Sequence, residues 1–265
     1  MDIVLAVLAS LCYALAIGHV LPGLTHSDGI KSKRVFGFAM IALLCHALLS
    51  AKLIFTASGQ NLSMLNVASL ISFIVSAAST VAGLRVRVWF LIPVVYSFAA
   101  LNLLAATLLP GAFITHLEAH PHVLLHISLA LFAYSTLMIA CLYAIQLAYL
   151  DNKLRSKKQL AFNPNLPPLM VVEKQLFKIM LVGYALLTLT LATGLWFVGD
   201  MFAAGKAHKA ILSAVAWVVY SVLLWGHFQQ GWRGRRVIWF SIVGAFLLTL
   251  AYFGSRFVKE VIIGG

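Results

Sequence analysis

Residues 122–155 read HVLLHISLALFAYSTLMIACLYAIQLAYLDNKLR. From His122 to Leu150 there is no Lys, Arg, Asp or Glu; then Asp151, Lys153 and Arg155 arrive together. A helix rises about 1.5 Å per residue, so ~20 apolar residues cross the ~30 Å hydrocarbon core of a bilayer. The stretch is therefore read as a membrane-spanning helix with a charged terminus at one end.

Seven further stretches have the same character: 3–22, 35–57, 64–83, 89–109, 174–198, 209–228 and 237–260. With 122–150 they make about eight helices, an all-α polytopic transmembrane bundle. It is read as a single membrane domain over 1–265, with helices one to four in 1–109 and helices five to eight in 122–262. Composition agrees: 62% of residues are hydrophobic and 10% are charged, with a mean hydropathy of +0.99. A soluble domain carries about a quarter charged residues.

The net charge of +12 does not point to nucleic acid, because the cations sit in short gaps between apolar stretches. The first gap holds Lys31, Lys33 and Arg34, and the third holds Arg85 and Arg87. The fifth holds Lys153, Arg155, Lys157, Lys158 and Lys174, and the seventh holds Arg233, Arg235 and Arg236. The even gaps hold only Lys206, with Lys209 at the edge of the seventh stretch. Basic loops stay in the cytoplasm, so an even number of spans puts both termini outside. No basic segment precedes the first stretch, which is read as a retained helix. The fifth gap, with Pro164, Pro167 and Pro168, is either a topology anchor or a segment lying on the anionic leaflet.

Polar side chains inside the stretches narrow the chemistry. Ala68, Ser72, Ser76 and Thr80 recur every four residues, a face that lets helices approach. Cys12, Cys45 and Cys141 lie in apolar stretches without a Cys-x-x-Cys pair, which excludes thioredoxin-like redox and covalent c-type haem attachment. No Walker-type phosphate loop, nucleophile elbow or His-Glu-x-x-His motif is present. No acid lies mid-span, which disfavours a carboxylate proton relay.

Histidine is the unusual residue: nine, against seven acids. The topology gathers His116, His120, His122, His126 and His208 at the outer face. It puts His46 mid-membrane, His227 and His19 near the inner face, and His26 in the first gap. A neutral imidazole is a good axial ligand for haem iron, and His126 and His208 stand on separate helices at one membrane side. They are the first-choice pair for a b-type haem. Lys206, Lys209 and Arg256, outer-side cations with Lys259, would neutralise its propionates. The other reading leaves the outer-loop histidines solvated and has His126 bond a neighbouring helix, with the cations paired to Glu118, Asp200 and Glu260. Trp217 and Tyr220 would wall an outer pocket or simply pack.

Two stretches resemble a known family. They are His122–Arg155, quoted above, and 208–262, with its Gly231-Trp232-Arg233-Gly234-Arg235-Arg236 loop and Ala251-Tyr252-Phe253-Gly254-Ser255-Arg256 segment. Both are similar to the integral membrane cytochrome c assembly proteins of the CcsA/CcmC group, which handle haem, and to its short bacterial YpjD and HemX types. The resemblance implies a bacterial inner-membrane protein that presents or transfers haem. It implies that His126 is the external histidine, that His227 binds haem within the membrane, and that His46 is the partner of His227. The tryptophan-rich outer signature is not intact between Trp196 and Trp217, and the last helix lacks the outer histidine of a cytochrome c synthase. Haem handling without ligation chemistry is therefore expected. The alternative is a membrane scaffold or regulator of haem supply, without bound haem, that meets a protein partner at the cytoplasmic basic loops.

Overall fold

The computed structural model describes residues 1–25, 30, 32–86, 88–155, 167–197 and 207–257. Of the residues weighed above, His26, Lys31, Arg87, Lys157, Lys158, Pro164, Asp200, Lys206, Lys259 and Glu260 lie outside these.

Eight long helices run in chain order: α1 (Asp2–Thr25), α2 (Ser32–Ile54), α3 (Met64–Ala82), α4 (Ile92–Leu108), α5 (Pro121–Arg155), α6 (Leu169–Phe197), α7 (Ala207–Gln230) and α8 (Arg235–Thr249). Seven apolar segments are long enough to cross a membrane, α8 counting with the turn that continues it to Gly254; α4 is an apolar helix of 17 residues. The expected all-helical membrane architecture is what the chain adopts. At 35 residues, α5 is about 50 Å long and exceeds the hydrocarbon thickness.

Three departures from the sequence reading concern element ends. The second apolar stretch stops being helical at Ile54 and turns into a short strand, β1 (Phe55–Thr56), paired with β2 (Gly59–Asn61). The fourth gap, between the stretches 89–109 and 122–150, supplies β3 (Ile114–Thr115), antiparallel to β2, and a 3-10 turn at Leu117–Ala119. Asn61 locks this small sheet: its Nδ2 donates to Gly111 O at 2.9 Å, and its Oδ1 accepts from Phe113 N at 2.9 Å and Ser63 N at 3.2 Å. Backbone groups that leave a helix need new partners, and one amide side chain meets three of them. Finally, α8 widens into a π-helical turn at Leu250–Gly254 before a last short helix, Ser255–Phe257.

The described chain divides into two compact units, Met1–His116 and Leu117–Gly265, the latter without 158–167. In the N-terminal unit α1 packs on α2 and α4, and α3 on α4 and α2. Ala6, Ala9, Cys45, Leu49 and Leu103 form a buried cluster there. Asp2, opening α1, is paired with Lys52 in the last turn of α2, so these two helices are antiparallel. The small-residue face of α3 is buried at Ser72, Ser76 and Thr80, as helix packing requires.

The C-terminal unit is built on the long α5–α6 pair, with α7 on α6 and α8 on both α5 and α7. The α6–α7 register is fixed by two bonds. Trp217 Nε1 donates to Thr188 Oγ1 at 2.8 Å, and Tyr184 Oη pairs with Ser221 Oγ at 2.9 Å. Between α5 and α8, Thr249 Oγ1 gives its proton to Ala245 O and so accepts from the Tyr134 phenol at 2.9 Å.

Candidate functional site

Histidine can ligate iron only through a ring nitrogen that keeps its lone pair, and the partner of the other nitrogen decides which one that is. The three membrane histidines of interest differ on this point.

His126 stands in the second turn of α5, half-buried, with Nδ1 3.2 Å from Thr193 Oγ1 of α6. The Thr193 hydroxyl donates its one proton to the carbonyls of Leu189 and Thr190, at 2.9 and 3.0 Å. Toward His126 it is therefore an acceptor. With the hydroxyl proton on its own helix, the neutral ring carries its proton on Nδ1 and its lone pair on Nε2; the ring also bonds the Thr190 backbone carbonyl.

His227 closes α7. Its Nδ1 donates to Trp232 O at 3.0 Å, and its ring lies flat on Phe177 of α6. Again Nε2 keeps the lone pair. The Gly-Trp-Arg-Gly loop builds this arrangement. Positive φ at Gly231 (65°) and Gly234 (61°) reverses the chain, a conformation glycine adopts without strain. Trp232 N bonds back to Gly226 O. The indole then lies on Gly226 so closely that a Cβ there would meet ring atoms at 2.3 Å. Arg236 covers the outer side of the indole, 5.6 Å from its centroid, and Phe240 stands 5.5 Å from it. Arg233 reaches toward the buried Glu173 of α6, N to O 3.6 Å, too long for a hydrogen bond.

His46 is different. It is wholly buried in the N-terminal unit, with Nδ1 3.1 Å from Tyr13 Oη and Nε2 3.0 Å from Ser69 Oγ. A neutral ring has one donor and one acceptor nitrogen, so in either tautomer the single lone pair is engaged. His46 joins α1, α2 and α3, and Ser50 extends the chain at 3.5 Å from Ser69.

The positions of the remaining candidates follow from register. Continuing the antiparallel count from Thr188–Trp217 and Tyr184–Ser221 carries His208 to the level of Phe197. That is about 6 Å beyond Thr193 along α6. His122 touches Phe197, with ring centroids 5.8 Å apart, and His120 lies 5.9 Å from His122. His126, His122, His120 and His208 thus share one end of the C-terminal unit. His208 is exposed, however, and nine residues (two and a half turns) separate it from Trp217, so it leaves α7 on the side away from α6. Lys209 is half-buried. Counting up from Thr249, opposite Tyr134, puts Arg256 near the level of Ile127, beside His126; Arg256 is 9% exposed. His227 is at the other end: Phe177 and Thr193 are separated by about 24 Å of α6. Among the described residues, no group of three or more His, Cys, Asp or Glu stands close enough to hold a bare metal ion.

Trp217 and Tyr220 pack. Trp217 stacks on Tyr184 with centroids 5.7 Å apart, and Tyr220 is buried against Gly244. The sequence reading missed Thr193, Phe177 and the Trp232 carbonyl. Thr193 lies 67 residues from His126 and has no local signal. The glycines around Trp232 were the one legible clue.

A family model for cytochrome C assembly protein matches residues 35–263. The chain belongs to the cytochrome c assembly protein family. This family member is 51% identical to inner membrane protein YpjD of Escherichia coli (strain K12) over 261 residues, 98% of this chain and 99% of that protein. It is 31% identical to an uncharacterized 28.8 kDa protein of Azospirillum brasilense over 144 residues, 53% of this chain and 52% of that one. It is 21% identical to cytochrome c biogenesis protein CcsA of Heterosigma akashiwo (strain NIES-293 / 8280G21-1), over 64% of this chain and 63% of that protein. No solved structure matches it. As a YpjD homologue with seven candidate spans, this cytochrome c assembly family member is a multi-pass inner-membrane protein.

Proposed function

We propose that this chain is a haem-handling protein of the inner membrane that presents or transfers haem b at the outer face, with both termini outside, and makes no covalent bond to it. The observation that carries the reading is the contact of His126 Nδ1 with Thr193 Oγ1; with the Thr193 proton on its own helix, Nε2 is the nitrogen that keeps a lone pair. That donor set fits haem iron, for which neutral imidazole is a standard axial ligand. Arg256 supports it. Its guanidinium stands near the level of His126, where it would face a propionate. Lys209 supplies further positive charge at that end, and Lys206, the other cation expected there, lies outside the described residues. When bound, haem would bring the iron centre that the assembly pathway passes on; the protein's part is to hold, orient and shield it. His208 shares the end of the unit and is the candidate second outer ligand. His227, also presented through Nε2, would hold haem at the inner end.

The experiment is an absorbance spectrum of the detergent-purified protein supplied with haem. A Soret band is expected, and it should be lost or shifted in His126→Ala. His208→Ala reports whether that residue completes the pair. A band that survives in His126→Ala with His208→Ala and disappears in His227→Ala moves the principal site to the inner end. Absence of any Soret band in the wild type sinks the haem reading.

A further inference from the structure

We propose that Thr193 is the positioning residue for His126: it selects the ring tautomer and aims Nε2, so that a ligand-ready imidazole exists before any ligand arrives. The proposal rests on the haem reading for its purpose but on the protein alone for its physics. Three observations carry it.

The first is the direction of the bond. A threonine hydroxyl has one proton, and Thr193 commits it to its own helix, at Leu189 O or Thr190 O. It can meet His126 Nδ1 at 3.2 Å only as acceptor, so the imidazole proton is held at Nδ1. A free neutral histidine ring favours the Nε2–H form severalfold, so the Nδ1–H form needs an acceptor at Nδ1 to hold it. A single hydrogen bond worth about 1 kcal/mol biases the tautomer severalfold the other way.

The second is rigidity. A threonine whose hydroxyl bonds back to its own helix is fixed in rotamer, and the site sits on packed helices rather than loops. The third is the parallel at the other end of the same unit, where the Trp232 carbonyl does the same for His227 Nδ1. His46, whose two nitrogens are both engaged, has no such free side. Of these three membrane histidines, the two with Nε2 open are those whose Nδ1 meets an acceptor.

The test starts without haem. Ring-nitrogen chemical shifts of His126, assigned by comparison with His126→Gln in selectively labelled apo-protein, should report the Nδ1–H tautomer. Thr193→Val, nearly isosteric but without the acceptor, should give a mixture of tautomers, and Thr193→Ser should restore the wild-type pattern. A wild-type ring protonated on Nε2, or a Thr193→Val ring indistinguishable from wild type, overturns the proposal whether or not haem binds. With haem, loss of such a supporting bond weakens metal-ligand affinity by roughly 10–100-fold. Thr193→Val should weaken haem retention to that extent and Thr193→Ser should recover it. Correct tautomer shifts together with no Soret band in any variant would reject the haem reading while leaving the positioning role intact. Unchanged haem retention in Thr193→Val would confine Thr193 to packing and overturn its role toward a ligand.

Discussion

The imidazole of His227 lies on the ring of Phe177 with centroids 3.4 Å apart and planes 11° from parallel. One face of the histidine is thereby closed, and the Trp232 carbonyl holds its Nδ1 edge. Only the Nε2 edge is left to meet a ligand. Phe177 and the Gly226–Arg236 turn act together as a mount for one side chain, and they can be taken apart separately.

Phe177→Leu removes the face contact and keeps the volume roughly constant. An aromatic pair contributes about 0.5–1.5 kcal/mol beyond its area, so a small loss of thermal stability is expected. The sharper measurement is NMR: the ring protons of His227 should lose the upfield shift that a stacked phenyl imposes. Unmoved His227 resonances would show that the stack is not populated.

Gly226→Ala should be more damaging than its one methyl suggests. The new Cβ meets the Trp232 ring at 2.3–2.7 Å, so the indole must leave. Overpacking of this kind costs about 1–3 kcal/mol. Once Trp232 moves, its carbonyl no longer fixes His227. Expected outcomes are a lower melting temperature in detergent and a shift in tryptophan emission that is absent when Trp232 is also replaced by Phe.

In the N-terminal unit, His46→Phe leaves the Tyr13 phenol and the Ser69 hydroxyl without the ring that joins them. Hydrogen bonds between membrane helices contribute about 1–2 kcal/mol in model peptides and less on average in a folded protein. A destabilisation of about that size is expected, with partial recovery in His46→Gln. Any haem spectrum should keep its shape in both, since the lone pair of His46 is already used. A His46→Gln variant that is fully stable yet spectrally altered would restore His46 as a ligand.

Tyr220→Phe should be neutral or stabilising. The phenol oxygen is buried and has no hydrogen-bond partner among the described residues, and its ring lies against Gly244. A buried hydroxyl without a partner costs about 1–3 kcal/mol. Thermal melting of the variant in detergent should match or exceed wild type; a marked fall would reveal a bond to that hydroxyl.

Orientation can be read from the hairpin between β1 and β2. Ser58 is exposed there, and the native cysteines Cys12, Cys45 and Cys141 are buried. Ser58→Cys should react with a membrane-impermeant thiol reagent added outside intact spheroplasts. Arg235→Cys, at the first residue of α8, should react only after permeabilisation. The reverse pattern would invert the topology drawn from charge.

The apolar stretches, their number and the basic gaps are local properties. A spanning helix must satisfy its own backbone and match the bilayer thickness, so 20 residues of composition suffice to read it. The same locality let the glycines around Trp232 stand out, since backbone reversal and close approach demand that residue type. The end of α2 at Ile54 was not legible, because the β1–β2 hairpin that follows it is completed by the strand at Ile114–Thr115, which is remote in sequence. Position set His126 at the outer face and His46 mid-membrane, but it did not say which ring has a nitrogen left open. Their difference lies in whether the partner across the bundle is an acceptor that leaves one nitrogen open, as Thr193 does, or a pair of hydroxyls that close both, as Tyr13 and Ser69 do. A hydrogen bond is made by atoms within about 3 Å, and only the packing of helices distant in the chain decides which atoms those are.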